Sequence, residues 1–137
     1  MLAGNKDRVV LVTDDEPCVL RAVAGILRFA GYTVLEADSG EAALRVGREC
    51  GGPIDLLLTD VLMPKLSGTA LADRFAALHP ETRYLFMAGL PDHPEVTAGI
   101  TGRGRPFLPK PFLPQALLQK VAEVLAGRAR SAAQGSG

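Results

Sequence analysis

The stretch Ile54-Asp55-Leu56-Leu57-Leu58-Thr59-Asp60-Val61-Leu62-Met63-Pro64 decides the fold. Its apolar residues, interrupted only by Asp55, run without alternation into Thr59 and a carboxylate, and Pro64 and Gly68 then break the chain. Such a run reads as a strand over 54–59, buried on both faces, that stops abruptly and leaves Asp60 at its carboxyl end. Strands of this kind belong to parallel sheets covered by helices, and ligands bind such sheets at the carboxyl ends of the strands.

Four more runs share that character. Upstream, Val9-Val10-Leu11-Val12-Thr13 ends in Asp14-Asp15-Glu16, with Pro17 placed for the first turn of a helix carrying Val19, Leu20, Val23, Ile26, Leu27 and Ala30. Gly31 closes that helix, Thr33-Val34-Leu35-Glu36-Ala37 reads as a second strand, and Ser39 caps a helix bearing Ala42, Ala43 and Val46. Downstream, Leu71, Phe75 and Leu78 mark another helix, 84–88 a fourth strand broken by Gly89, and Phe107-Leu108 a short fifth. The interval 90–105 is rich in glycine and proline and predicts one short helix near 95–100. Pro114 opens a last helix with Leu117, Leu118, Val121, Val124 and Leu125 on one face.

Strands alternating with helices predict an α/β fold: a doubly wound, five-stranded parallel sheet of flavodoxin-like (βα)5 type, in the order 2-1-3-4-5. One domain over 8–127 is expected, with 1–7 and 128–137 as flexible flanks. The 137 residues are 47% apolar and 22% charged with zero formal net charge, which argues against a non-specific nucleic-acid binder. No apolar run approaches the roughly 18 residues of a membrane span, and the N-terminus lacks a signal-peptide core, so a cytoplasmic location is expected. Cys18 and Cys50 lack metal-ligand spacing and read as ordinary thiols. His79 and His93, each followed by proline, read as surface loop residues.

The order 2-1-3-4-5 brings the ends of strands 1 and 3 together, and with them Asp14, Asp15 and Asp60. Two unit charges about 4 Å apart repel by roughly 4 kcal/mol at an effective dielectric near 20, so this cluster needs a proton or a cation. Hard oxygen donors with room for water suit Mg2+, with Mn2+ as the other candidate. Lys110, at the end of strand 5, adds a compact positive charge, and the three aspartates, one divalent ion and the lysine then cancel formally. Phosphoryl transfer needs positioning, neutralisation and an in-line nucleophile, and Asp60 can be that nucleophile. Singly these residues have plainer readings: an N-terminal capping pair at Asp14-Asp15, a turn aspartate, a solvated lysine. Their joint placement at the ends of strands 1, 3 and 5 makes the site.

On these residues the chain resembles the receiver domain of bacterial two-component response regulators. The resemblance rests on Asp14-Asp15, on Leu58-Thr59-Asp60-Val61-Leu62-Met63-Pro64 with Gly68, and on Phe107-Leu108-Pro109-Lys110-Pro111-Phe112; it covers about 8–127 and is strongest toward receivers of hybrid sensor kinases. It implies that Asp60 accepts a phosphoryl group from a histidine kinase or phosphotransfer protein, without turnover of an external substrate. It further implies Mg2+ on Asp15, Asp60 and the Leu62 carbonyl, with Asp14 acting through water, and Lys110 on the phosphoryl oxygens. The Lys110-Pro111 bond is expected to be cis, Phe107 to be the aromatic switch, and Leu62 and Leu90 to influence hydrolysis. The contact surface would lie around helix 4, Phe107 and helix 5, toward a downstream protein or a covalently linked kinase. Ala88 departs from the family, which carries Ser or Thr there to bond a phosphoryl oxygen; the Gly89 backbone N–H remains as a donor. Thr59 is expected to point away from Asp60 and so not to substitute. Two other readings stay open: an atypical receiver acting as a phosphorylation-independent binding module, and an aspartate-nucleophile phosphatase, although such enzymes carry Asp-x-Asp after their first strand.

Overall fold

A computed structural model describes residues 8–90 and 92–136, with side chains described up to Gly127. Five parallel strands, β1 (Val9–Thr13), β2 (Thr33–Ala37), β3 (Leu56–Asp60), β4 (Arg83–Ala88) and β5 (Phe107–Pro109), lie in the order β2-β1-β3-β4-β5. Between and after them run α1 (Pro17–Phe29), α2 (Gly40–Glu49), α3 (Gly68–Leu78), α4 (Pro94–Gly99) with a 3-10 turn at Thr101–Arg103, and α5 (Pro114–Ser136). The backbone of α5 continues past Gly127, where the sequence reading ends the domain, and residues 1–7 lie outside the described ones.

Strand alternation sorts the core into two layers. Val10, Val12, Leu56, Leu58, Leu85 and Met87 face α1 and α5, meeting Leu20, Val23, Leu27, Leu117 and Val121. Leu11 and Leu57 face the other way, toward Leu44 of α2 and Leu71 and Phe75 of α3, while Phe86 and Ala88 meet Val96 and Ile100 beneath α4. Every residue of β3 is buried, as its unbroken apolar run requires.

The caps follow the sequence. Pro17 opens α1 and Ser39 caps α2 by accepting from the Ala42 N–H at 3.0 Å. Of the two histidines, His93 fits the surface-loop reading and His79 departs from it. His93 is exposed but caps α4, its Nδ1 accepting from the Glu95 N–H at 3.1 Å. His79 is half-buried, stacked on Phe75 with ring centres 5.1 Å apart, and its Nε2 lies 2.7 Å from the Gly47 carbonyl, which ties α3 to α2. The third strand begins two residues later than expected, at Leu56, and includes Asp60 as its last residue.

Candidate functional site

The site is the crevice where β1 and β3 end side by side, Thr13 being in register with Thr59. The next residue on each strand is an aspartate. Asp14 and Asp60 follow Val12 and Leu58 by two positions, so alternation turns both toward the α1–α5 side. Asp14 is fully buried and Asp60 nearly so, while Asp15 is exposed. One carboxylate oxygen from each of the three lies within 4.8 Å of the others.

Lys110 arrives from the far edge of the sheet. Its backbone N–H donates to the Ala88 carbonyl at 2.8 Å, which pins the end of β5 to the end of β4. The Lys110-Pro111 bond is cis, as expected. From there Nζ reaches back to Asp14 Oδ2 at 3.0 Å and Asp60 Oδ1 at 3.4 Å, with Glu16 Oε1 at the 4.0 Å limit of an ion pair. The other Asp14 oxygen accepts from the Glu16 N–H at 2.9 Å, so both oxygens of this carboxylate are engaged.

Charge decides what the crevice can hold. Burial pushes the Asp60 carboxyl up to about 6 despite the attraction of Lys110, and Asp14 and Asp15 add to the rise. Burial works against the charge on Lys110, but its hydrogen bond to Asp14 and the nearby Asp60 carboxylate outweigh that, and its pKa lies above the ordinary value. One ammonium is thus spread over two buried carboxylates, with a third carboxylate at the rim. The set is short of positive charge, all its free donors are hard oxygens, and its rim is open at Asp15. That is the donor set of an Mg2+ site.

Ala88 ends β4 beside Asp60 with no hydroxyl, and it is fully buried. Thr59 does not replace it, because its own hydroxyl donates to the Asp60 backbone carbonyl at 2.9 Å. Gly89 is exposed and a side chain there would meet nothing within 4 Å, so its backbone is open to a ligand. Phe107 is half-buried at the sheet edge and lines a cavity of about 840 Å3 with Arg105, Lys120 and Val124.

Sequence reasoning placed the loop that follows Asp60 but missed how it is held. Gly68, read there as a break, is the first residue of α3, and a Cβ on it would overlap the Asp60 backbone carbonyl. The Gly68 N–H donates to the Val61 carbonyl at 2.8 Å, and the Val61 N–H to Met87 on β4 at 2.9 Å. Lys65 has φ 71 in a tight turn closed by the Leu66 N–H on the Pro64 carbonyl. That backbone is costly for a residue with a side chain, and the buried Met63 and Leu66 on either side hold the loop in it. The visible signal was Pro64 and Gly68 four residues apart on either side of this turn.

Residues 10–122 match the family model described as the response regulator receiver domain. The chain belongs to this family. Sensor kinase CckA of Brucella abortus is 34% identical over 116 residues, which is 85% of this chain and 12% of CckA. Response regulator receiver protein CpdR of the same species is 29% identical over 85% of this chain and 95% of its own length. The crystal structure of the receiver domain from hybrid histidine kinase CckA superimposes with a TM-score of 0.72 at 34% identity, covering 85% of this chain and 98% of that one. A response regulator receiver domain protein from Clostridium thermocellum gives 0.78 at 28% identity, covering 89% and 97%. The likeness to a hybrid-kinase receiver, read from Leu85-Phe86-Met87 and Phe107-Leu108-Pro109-Lys110-Pro111-Phe112, thus has a counterpart among relatives. The chain spans 12% of CckA and 46% of the probable transcriptional regulatory protein TcrX of Mycobacterium tuberculosis. As a receiver domain it is a module of two-component signalling, with the acidic pocket at which such domains bind Mg2+. Among the described residues no helix is long and apolar enough to cross a membrane.

Proposed function

We propose that Asp60 is the phosphoacceptor of this receiver, taking its phosphoryl group from the phosphohistidine of a histidine kinase or phosphotransfer protein. The observation that carries this reading is the placement of a nearly buried Asp60 within reach of Asp14, Asp15 and the Lys110 ammonium. An Asp60 carboxylate oxygen attacks phosphorus, the O–P bond forms as the P–N bond to imidazole breaks, and the imidazole takes up a proton. Asp15, Asp60 and the Leu62 carbonyl would hold Mg2+ directly, or Mn2+ in its place, with Asp14 acting through water. When bound, the ion neutralises charge on the phosphoryl oxygens. Lys110, already oriented by Asp14, moves from the Asp60 carboxylate to a phosphoryl oxygen, and the Gly89 N–H donates to another. Asp14, with both oxygens engaged, orients Lys110 rather than attacking. No external substrate turns over, and the partners are a kinase or phosphotransfer protein and an output protein or linked kinase, met around α4, Phe107 and α5.

Incubation with radiolabelled acetyl phosphate tests this. The wild type should take up label with Mg2+ and lose nearly all of it when the ion is chelated. Equal labelling with and without the ion would overturn the reading, and steady hydrolysis of a generic phosphoester would point to the phosphatase instead.

Ala88 favours a second reading, in which phosphorylation persists but the switch it drives is weak. A hydrogen bond to a charged group contributes about 1.5–3 kcal/mol, so its loss lowers the phosphorylated active population by about tenfold or more. Ala88→Thr is expected to restore that factor, read as a larger phosphorylation-dependent change in the NMR signals of the Phe107 ring. An unchanged response and an unchanged phosphoryl lifetime would count against this role. A phosphorylation-independent binding module would show output binding that is the same with and without label.

A further inference from the structure

The loop after Asp60 leads into a chain of hydroxyls that ends on α4. Ser67, the cap of α3, accepts from the Ala70 N–H at 3.2 Å. Its hydroxyl lies 3.1 Å from that of Thr69, and the Thr69 hydroxyl donates to Glu95 Oε2 at 2.6 Å. Thr69 has one proton, and Glu95 takes it. Ser67 therefore donates to Thr69, and the chain has one direction: Ala70 N–H, Ser67, Thr69, Glu95 carboxylate. Its last link is as short as charge-assisted O–H···O− bonds usually are, and bonds aligned this way polarise one another.

Both ends of the chain are tied to elements that matter. At the start, Gly68 sits against the Asp60 carbonyl and bonds Val61, with no side chain to cushion a displacement. The tight turn at Lys65 makes the connection from Leu62 to Ser67 a strut rather than a slack loop. At the other end, Glu95 is the second residue of a helix only six residues long, buried through Val96. Gly99, the last residue of that helix, lets it approach so closely that an added Cβ would lie 3.3 Å from the Thr69 methyl. The short helix is thus gripped by the first turn of α3 at its second and last residues. Meanwhile the route along β4 into the loop before α4 presents the Ala88 methyl in place of a hydroxyl, and what it offers a phosphoryl oxygen is the Gly89 backbone N–H.

We propose that Ser67, Thr69 and Glu95 are positioning residues that pass the state of Asp60 to helix α4, a coupling that rests on Asp60 being the phosphoacceptor. A phosphoryl group on Asp60 and a ligand on the Leu62 carbonyl both press on the stiff loop. The first turn of α3 follows, and the Thr69–Glu95 bond either lengthens or drags α4 with it. Both outcomes alter α4, on the face where an output protein would read the domain.

The test is amide hydrogen exchange of α4 in the full chain, with Mg2+, before and after acetyl phosphate, in the wild type, Thr69→Val and Thr69→Ser. Label on Asp60 is measured in the same samples. The wild type should change its α4 exchange by roughly tenfold on labelling, within the range usual for coupling between sites. Thr69→Val keeps the shape and removes the hydroxyl; it should label to the wild-type extent while its before-to-after ratio falls toward one. Thr69→Ser keeps the hydroxyl and should recover the response. A merely structural role would shift basal exchange in Thr69→Val but leave the ratio intact, and that result overturns the proposal, as does a labelled wild type with unaltered α4. An unlabelled wild type removes the phosphoacceptor reading itself and the coupling with it, which sets that failure apart from the other two.

Discussion

Asp60→Asn is expected to abolish phosphoryl uptake and at the same time to stabilise the metal-free protein at neutral pH. The first effect is loss of the nucleophile: an amide oxygen keeps the shape and one acceptor for Lys110 but carries no charge with which to attack phosphorus. The second follows from burial. The Asp60 carboxyl is pushed up to about 6 from an ordinary 3.8, so the folded state holds a proton that the unfolded chain has released between those values. Stability from this group is fully present below about pH 4 and is lost as pH rises through about 6, at a full value near 2–3 kcal/mol. Asn carries no such penalty and opens no cavity. Urea denaturation at pH 7 without divalent ions should therefore give the variant a higher midpoint, and the two proteins should converge near pH 4. Added Mg2+ should stabilise the wild type more than the variant and narrow the gap. A variant that still labels would remove Asp60 from the mechanism. One that is less stable than wild type at pH 7 without metal would show that the Lys110 ion pair outweighs the cost of burial.

That penalty explains why the site is legible in the sequence. A buried carboxylate is expensive, so an aspartate closing an all-apolar strand needs a functional reason, and two more aspartates at the end of β1 supplied one. The strands were equally legible, because burial on both faces writes itself as an uninterrupted apolar run in β1 and β3. The burial and partner of each member of the cluster were not. Asp14 and Asp15 are adjacent in sequence, yet one is fully buried and bound to Lys110 while the other is exposed, and this depends on where the strand ends and α1 begins. The polar links between neighbouring elements left no trace either. Thr69 and Glu95 are 26 residues apart and His79 and Gly47 are 32 apart, and each is a single bond between loop or helix-end residues with no period to detect. The start of β3 was placed two residues early because Ile54 is buried and apolar like a strand residue, although it precedes the ladder and its carbonyl accepts from the Thr82 hydroxyl.

Two glycines with opposite surroundings give the second large effect. Replacing a helical glycine by alanine normally gains up to about 1 kcal/mol, because alanine has less backbone entropy to lose. Gly25, exposed in the middle of α1 with nothing within 4 Å of an added Cβ, should follow that rule. Gly68 should break it. Its Cβ would overlap the Asp60 backbone carbonyl, an atom fixed in the central strand, with the Val61 backbone at 3.0 Å behind it. Neither neighbour is the end of a flexible side chain that can swing aside, so α3 must lift away from β3. Overpacking of this kind costs about 1–3 kcal/mol, and the lift also takes the Gly68 N–H off the Val61 carbonyl. Gly68→Ala is therefore expected to lower the urea midpoint while Gly25→Ala raises it. The same lift moves the loop bearing Leu62, so Gly68→Ala should also bind Mg2+ more weakly by calorimetry, with Gly25→Ala at the wild-type value. A Gly68→Ala protein as stable as wild type would mean that α3 yields freely at its first turn. The stiff strut between Asp60 and Thr69 would then be lost, together with the route by which the site reaches α4.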